Sequence, residues 1–376
     1  MNVPKIRFNG FEEEWQENKL CDIARITMGQ SPNSENYTND SNDTLLIQGN
    51  ADLNNCKVIP RLFTKQVTKT CDKNDIIMTV RAPVGDIAIS DYNACIGRGV
   101  CSIKSSKFVY HYLDYLKMKD YWKKISKGST IDSITSDDIK SLLIKTPNKK
   151  EEKKIIKTID LINKKIELQS KKIEDLKLFK KGLINHIIKN IEIEKIPLKN
   201  ILVEQNNKTS KNNEYEILSS TSKGLYLQKD YFNKQAASDN NVGYKILKKN
   251  QLVLSPQNLW MGNINVNTEY NIGIVSPSYK IFNISNNVNI DFFNYWIKSP
   301  KALFEYKISS EQGASIVRRN LNMDLFYEII VDLPRGKLQN KVGKIIKLLN
   351  LNIQYNEFLL QKLLEFKKGL MQNMFV

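Results

Sequence analysis

The sequence predicts an α+β protein: two mixed α/β globules, each followed by a long helix. The helices pair as an antiparallel coiled coil, and the two halves form a pseudo-two-fold repeat. Three observations predict this. The chain has 376 residues, too many for one ordinary domain and enough for two or three. A segment beginning at Pro147 returns without gaps at Pro334, a shift of 187 residues. Inside both copies apolar residues recur at alternating steps of four and three, the spacing of a coiled-coil seam.

The first globule is expected over residues 1–147. Its short β-branched runs, bounded by Gly, Pro and Asn, read as strands and turns, and the aromatic stretch Tyr110 to Trp122 reads as a helix. A helix follows over 148–192, then a second globule over 193–333 and a last helix over 334–376. The globules resemble each other weakly. Lys73-Asn74-Asp75-Ile76-Ile77-Met78 parallels Lys249-Asn250-Gln251-Leu252-Val253-Leu254, and the aromatic stretch returns as Phe292 to Tyr306.

The first seam reads Ile155, Ile159, Ile162, Ile166, Gln169, Ile173, Leu176, Leu183 and Ile187. The second reads Val342, Ile346, Leu349, Ile353, Asn356, Leu360, Leu363, Leu370 and Met374. Gln169 and Asn356 hold equivalent places, and a buried seam amide fixes register at some cost in stability. Lys180 and Lys367 are also equivalent, and both copies end in Phe-Lys-Lys-Gly-Leu, at Phe179 and Phe366. Each seam helix is expected to run about 33 residues, roughly 50 Å at 1.5 Å per residue. A single apolar stripe does not stabilise so long a helix alone, so each copy is the natural partner of the other.

Lys plus Arg number 57 against 40 Asp plus Glu, a formal net charge of +17. Such a surplus points to a polyanionic partner, nucleic acid first and an anionic membrane surface second. Lysine far outnumbers arginine and asparagine is abundant, so host composition also contributes to the charge. No run of about 18 apolar residues exists, and MNVPKIRFNGFEEEW lacks a signal-peptide core; a cytoplasmic protein with no membrane span is expected. Cys21, Cys56, Cys71, Cys95 and Cys101 form no CxxC and are expected to be free buried thiols. His111 and His186 stand alone, and both read as structural. No Pro-Pro and no Walker A loop occur, and Ser276-Pro277-Ser278-Tyr279 only imitates a methyltransferase tetrapeptide. The chain reads as a binder without a catalytic residue, metal or cofactor of its own.

Several phrases then carry a family resemblance over nearly the whole chain. They are the opening Pro4-Lys5-Ile6-Arg7-Phe8, Phe11, Glu14-Trp15 and Lys19-Leu20, and the two seam repeats. Asp75-Ile76-Ile77 with Gly85, and the glycine-led loops Gly128-Ser129-Thr130 and Gly313-Ala314-Ser315-Ile316, complete the set. In order and repetition these resemble the specificity (S) subunit of type I restriction–modification systems. The resemblance implies two target recognition domains, each reading one half of an asymmetric bipartite site in double-stranded DNA. The helices would set the unread spacer and dock two methyltransferase (M) subunits, which bind S-adenosylmethionine and methylate adenine N6. Restriction (R) subunits, using ATP and Mg, would complete the nuclease. Two other readings stay open: a structural coiled-coil protein, and a truncated methyltransferase–specificity fusion.

Under that resemblance lysines meet phosphates, while Arg, Asn and Gln read base edges. In the first globule the candidates are Gln30, Ser31, Asn33 and Tyr37 after Gly29, with Arg81, Arg98, Lys127, Ser129 and Thr130. In the second they are Ser220, Ser222, Lys223 and Tyr226, then Gln257, Asn258 and Trp260, then Gln312, Arg318 and Arg319. Trp260 fits a core position equally well.

Overall fold

The computed structural model describes residues 3–125, 133–231, 240–312 and 319–376. The chain is mixed α/β and divides into two compact units. Unit 1 is Met1–Lys171 with Phe358–Val376, and unit 2 is Lys172–Glu357.

Unit 1 is built on strand Ile76–Thr79, which is buried along its whole length. Side chains alternate across a strand, so Ile76 and Met78 enter one core while Ile77 enters another. The first core lies under the helix Lys107–Met118, where Phe108, Tyr112, Leu113 and Leu116 are buried. The second lies between the two sheets and holds Leu45, Ile47, Ala94 and Ile96. A six-stranded sheet orders Arg25–Met28, Val100–Lys104, Ile76–Thr79, Ile87–Ile89, Lys57–Val58 and Leu53–Asn54. A five-stranded sheet contains Thr44–Ile47 beside Ala94–Ile96, paired in parallel with Ile96 opposite Ile47.

Unit 2 repeats the device on fewer strands. Leu252 and Leu254 enter its main core, with Phe282, Phe292, Phe293 and Tyr306, while Val253 enters a smaller one. Its four-stranded sheet orders Leu202–Gln205, Lys280–Ile284, Leu252–Leu254 and Ile264–Val266. The parallel contact of unit 1 survives as a single bridge, Ile217 with Ile274.

In each unit a strand pair leads into a long helix: Gln16–Lys19 with Leu143–Thr146, and Ile193–Pro197 with Ile330–Pro334. The first long helix, Lys149–Lys189, has 41 residues, and the second, Lys337–Met374, has 38. Both exceed the seam length expected from sequence. Asn148 caps the first, its Oδ1 accepting from the amides of Lys150 at 3.1 Å and Glu151 at 3.0 Å, so the helix starts before its first seam residue. The opening phrase of the chain anchors the same turn. Arg7 donates to both carboxylate oxygens of the buried Glu151, at 2.8 and 2.9 Å, and Trp15 Nε1 donates to it at 3.3 Å. That carboxylate in turn raises the arginine's pKa.

Within unit 1, Ile155 and Ile159 share a core with Met371, Met374 and Phe375, while Ile162, Ile166, Gln169, Leu360, Leu363 and Leu370 are half-buried. Within unit 2, Ile173, Val342, Ile346, Ile353 and Asn356 are buried, and Leu176, Leu183, Ile187 and Leu349 are half-buried. Asn356 donates to Asn352 O and Oδ1, both at 2.7 Å. Ile184, one position off the seam, is fully buried among the unit 2 core residues. Two expectations on the thiols need correction. All five are free, but Cys21 and Cys56 are exposed. Leu20 takes the buried place in the single turn Leu20–Ile23, and Cys56 lies in a left-handed turn with Asn55. Among the described residues no helix is long and apolar enough to cross a membrane, and no cluster of His, Cys, Asp and Glu could hold a metal.

Candidate nucleic-acid interface

In unit 1 three chain segments cross at backbone contact. Gly29 donates its amide to Val100 O at 3.0 Å, Gln30 to Ile96 O at 2.8 Å and Gly97 to Ile47 O at 2.8 Å. Glycine is required there: a Cβ on Gly29 would lie 2.1 Å from Gly97 O, and one on Gly99 would lie 2.1 Å from Gln48 O. The crossing sets side chains from different segments along one edge. Thr79 opposes Val100, and Val80 N donates to Gly99 O at 2.9 Å, so Arg81 and Arg98 are the next residues beyond that pairing on the two segments. The Arg98 amide donates to Ser31 Oγ at 3.1 Å. Gln30, Arg81 and Arg98 are exposed, and among the described residues neither arginine meets a carboxylate.

The loop behind them is braced from within. Gln66 Oε1 accepts from the Asn33 amide at 2.9 Å and from Asn36 Nδ2 at 3.2 Å. The half-buried Tyr37 donates its hydroxyl to Pro32 O at 3.3 Å, and Thr68 donates to Gln30 O. Gln48, at the centre of the crossing, and Gln66 escaped the sequence reading. The Gln48-Gly49 pair directly after the strand Thr44–Ile47 was the available signal.

In unit 2 the corresponding edge is arranged differently. Ser220 is buried, its hydroxyl donating to Asn263 Oδ1 and accepting from Asn265 Nδ2, both at 2.7 Å. It braces the turn that follows. There Thr221 Oγ1 accepts from the amides of Lys223 at 3.1 Å and Gly224 at 3.2 Å, leaving Ser222 and Lys223 exposed. Tyr226 is exposed and stacks on Tyr231 with ring centroids 5.3 Å apart. Gln257 is exposed, while Asn258 and Trp260 are half-buried. Arg319 donates its amide to Gln257 O at 3.2 Å, and its guanidinium folds back onto Ser310, with Nε 3.0 Å from Ser310 Oγ. Its fork is thereby committed inside the unit. Gln312 pairs through its backbone with Arg319. Lys127, Ser129, Thr130 and Arg318, with both glycine-led loops, lie outside the described residues.

Corresponding positions emerge from the pairing. Arg81 follows strand Ile76–Thr79 and bridges to Ser133, and Gln257 follows strand Leu252–Leu254 and meets Arg319. One unit thus places a guanidinium where the other places an amide.

The family model of the type I restriction modification DNA specificity domain matches residues 12–178. Residues 12–178 are thus similar to such a specificity domain. The putative type I restriction enzyme MjaX specificity subunit of Methanocaldococcus jannaschii is 35% identical over 184 residues, 47% of this chain and 43% of that protein. The match therefore spans less than half of that relative. Among solved structures, the S subunit of a type I restriction-modification system from M. genitalium aligns over 100% of this chain and 99% of that one, with TM-score 0.62 and 17% identity. A chain from work on complex assembly and conformational transition of the type I R-M system aligns over 97% and 98%, with TM-score 0.55 and 11% identity. At those identities the likeness is one of fold. The exposed arginine edge lies inside the matched specificity domain.

Proposed function

We propose that the chain is the specificity subunit of a type I restriction–modification complex, without a catalytic centre of its own. Residues 1–147 and 193–333 act as target recognition domains, each reading one half of an asymmetric bipartite site in double-stranded DNA. The observation that carries this reading is the glycine crossing of unit 1, which holds Arg81, Arg98, Gln30 and Ser31 at one edge. Arg81 is suited to guanine, and Gln257 at the corresponding place of unit 2 is suited to adenine. Differing readers at equivalent places fit differing half-sites.

The helical segments 148–192 and 334–376 pair antiparallel and set the spacer. Two facts support the pairing. The first turns of the first helix share a core with the last turns of the second in unit 1, and Lys177 meets Glu357 at 2.7 Å in unit 2. Methyltransferase subunits dock on the outer faces of these helices, one per repeat. Leu161 and Leu348, Leu168 and Tyr355, and Phe179 and Phe366 are repeat-equivalent, apolar and exposed, which fits two copies of one partner. S-adenosylmethionine binds that partner, and ATP and Mg bind the restriction subunits. The complex works in the cytoplasm.

The test is single-molecule methylation sequencing of the host genome with and without this gene. Loss of N6-methyladenine at one asymmetric bipartite motif is the expected result. An unchanged methylome, in cells where the chain co-purifies with an active methyltransferase, would overturn the reading.

A further inference from the structure

Unit 2 contains a cleft of about 480 Å³ between the turn after Ser220, the loop joining Ile264–Val266 to Ile272–Val275, the helix Ile290–Trp296 and the two long helices. Three of its lining side chains are lysines, Lys180, Lys223 and Lys298, and the single carboxylate is the exposed Glu269. Lys298 Nζ donates to Gly262 O at 2.8 Å and Ser222 O at 3.1 Å. An ammonium has three N–H groups, so one is left for a further acceptor. Lys180 Nζ donates to the neutral Asn350 Oδ1 at 2.6 Å and lies 5.8 Å from the centre of the Tyr295 ring.

The repeat makes the imbalance informative. Lys367, the equivalent of Lys180, meets Asp114 at 2.8 Å in unit 1. Unit 2 keeps the lysine, pairs it with Asn350 of the second long helix instead of with a carboxylate, and adds Lys298. Burial lowers the pKa of Lys180, and that of Lys298 to about 8, so Lys298 remains charged near neutral pH, and neither lysine meets a carboxylate among the described residues. Desolvated cations without counter-charge gain most from an incoming anion.

We propose that this cleft holds a phosphodiester group of the DNA backbone, seated between Lys180 and Lys298 beside the Ser222–Lys223 turn. The proposal rests on the DNA-specificity reading and adds a phosphate seat to it. Lys223 joins the cleft to the exposed turn, and Lys298 is bonded to the carbonyl of Ser222. A phosphate held there fixes the turn against the bases it reads, whereas the turn itself carries the sequence information.

The test uses the complex of this chain with its methyltransferase and two duplexes, one carrying the methylated motif and one scrambled. Affinity is followed against salt concentration for wild type, Lys180→Gln, Lys298→Gln and Lys180→Arg. Each glutamine variant should weaken both duplexes by one common factor and make the salt slope shallower by about 0.9. Lys180→Arg should retain the wild-type slope. Unchanged affinity and slope in Lys180→Gln, in an intact complex, overturn the proposal. So does loss of methyltransferase co-purification with DNA slopes intact, which would make the cleft a protein-docking site. Stabilisation of the wild type by inorganic phosphate without any change of DNA slope in the variants points to a free anion and overturns it equally. Equal wild-type binding to both duplexes refutes the specificity reading instead, and the variants' slopes still decide the cleft.

Discussion

Gly99→Ala is the sharpest perturbation of the unit 1 edge. The new Cβ would lie 2.1 Å from Gln48 O and 3.3 Å from Gln48 C, both backbone atoms. Real Cβ contacts begin near 3 Å, so the two segments must part by about 1 Å, and overpacking of this kind costs roughly 1–3 kcal/mol. Two backbone bonds share the strain, Val80 N to Gly99 O at 2.9 Å and Gly97 N to Ile47 O at 2.8 Å. Each contributes about 1 kcal/mol net, so the fold of unit 1 should lose about 2–4 kcal/mol. The recognition effect is separate. On the proposed reading, moving Arg98 and Arg81 by about 1 Å would forfeit a bidentate base contact worth about 1–3 kcal/mol, roughly 5- to 150-fold in discrimination. Denaturant unfolding reads the first quantity, and methylation sequencing reads the second. The half-site assigned to unit 1 should become degenerate while the other is kept. Gly49→Ala is the control. Its Cβ would meet nothing within 4 Å, and its φ of 179° is extended backbone open to any residue. If both variants leave stability and motif untouched, or both damage them alike, the crossing does not position the readers.

Three further predictions follow from single sites. Arg81→Ala should relax one half-site by about 1–3 kcal/mol in binding to mismatched duplexes; equal weakening on every sequence would make it a phosphate contact. His111 is buried with Nδ1 unpartnered and Nε2 3.0 Å from Asp160 Oδ1, and burial lowers its pKa from 6.5 to about 4 against the pull of Asp160. Its folded pKa is depressed, so its contribution to stability is full above about pH 6.5 and is lost as pH falls towards 4, about 3 kcal/mol in all. Denaturant midpoints of wild type and His111→Gln should therefore converge on acidification, and a constant gap would refute the assignment. Gly182→Ala and Gly369→Ala place a Cβ where nothing lies within 4 Å, inside long helices. Each should raise stability by about 0.5–1 kcal/mol in thermal or denaturant melts, and a loss would contradict the open space seen around both.

The long helices were legible because their information is local. Steps of four and three survive in the sequence, and the residues on that spacing are all buried or half-buried. Ile184 was missed because packing onto a globular core obeys a wider apolar face than a two-residue seam. Strand Ile76–Thr79 was legible as a continuous apolar run, since both of its faces are covered. The edge was legible only in part. Glycines announced turns, but the partner of each close approach lies far along the chain: Gly99 against Gln48, and Gly29 against Gly97. For the same reason the sequence did not reveal which polar side chains are spent inward. Ser220 and Arg319 look like any loop residues until Asn263, Asn265 and Ser310 are brought beside them.

The two copies differ where a specificity device should let them differ. Seam positions keep their apolar character across the shift, with Gln169 answered by Asn356. Three outward apolar pairs keep theirs too, Leu161 with Leu348, Leu168 with Tyr355 and Phe179 with Phe366, whereas Leu178, Leu351, Phe358 and Leu364 fall against Glu365, Lys164, Lys171 and Lys177. At the edges the chemistry changes from guanidinium to amide, Arg81 against Gln257, on strands that occupy the same place in each unit. The charge balance changes as well, since Lys367 has Asp114 where Lys180 has Asn350. A host biased towards lysine would raise positive charge in both copies alike. It does not explain a lysine paired with a carboxylate in one copy and with an amide in the other. Exchanging the balance therefore separates the two causes. An acidic residue introduced by Asn350→Asp should neutralise Lys180, make the salt slope of DNA binding shallower, and leave the methylated motif unchanged. An unaltered slope would return the surplus to composition.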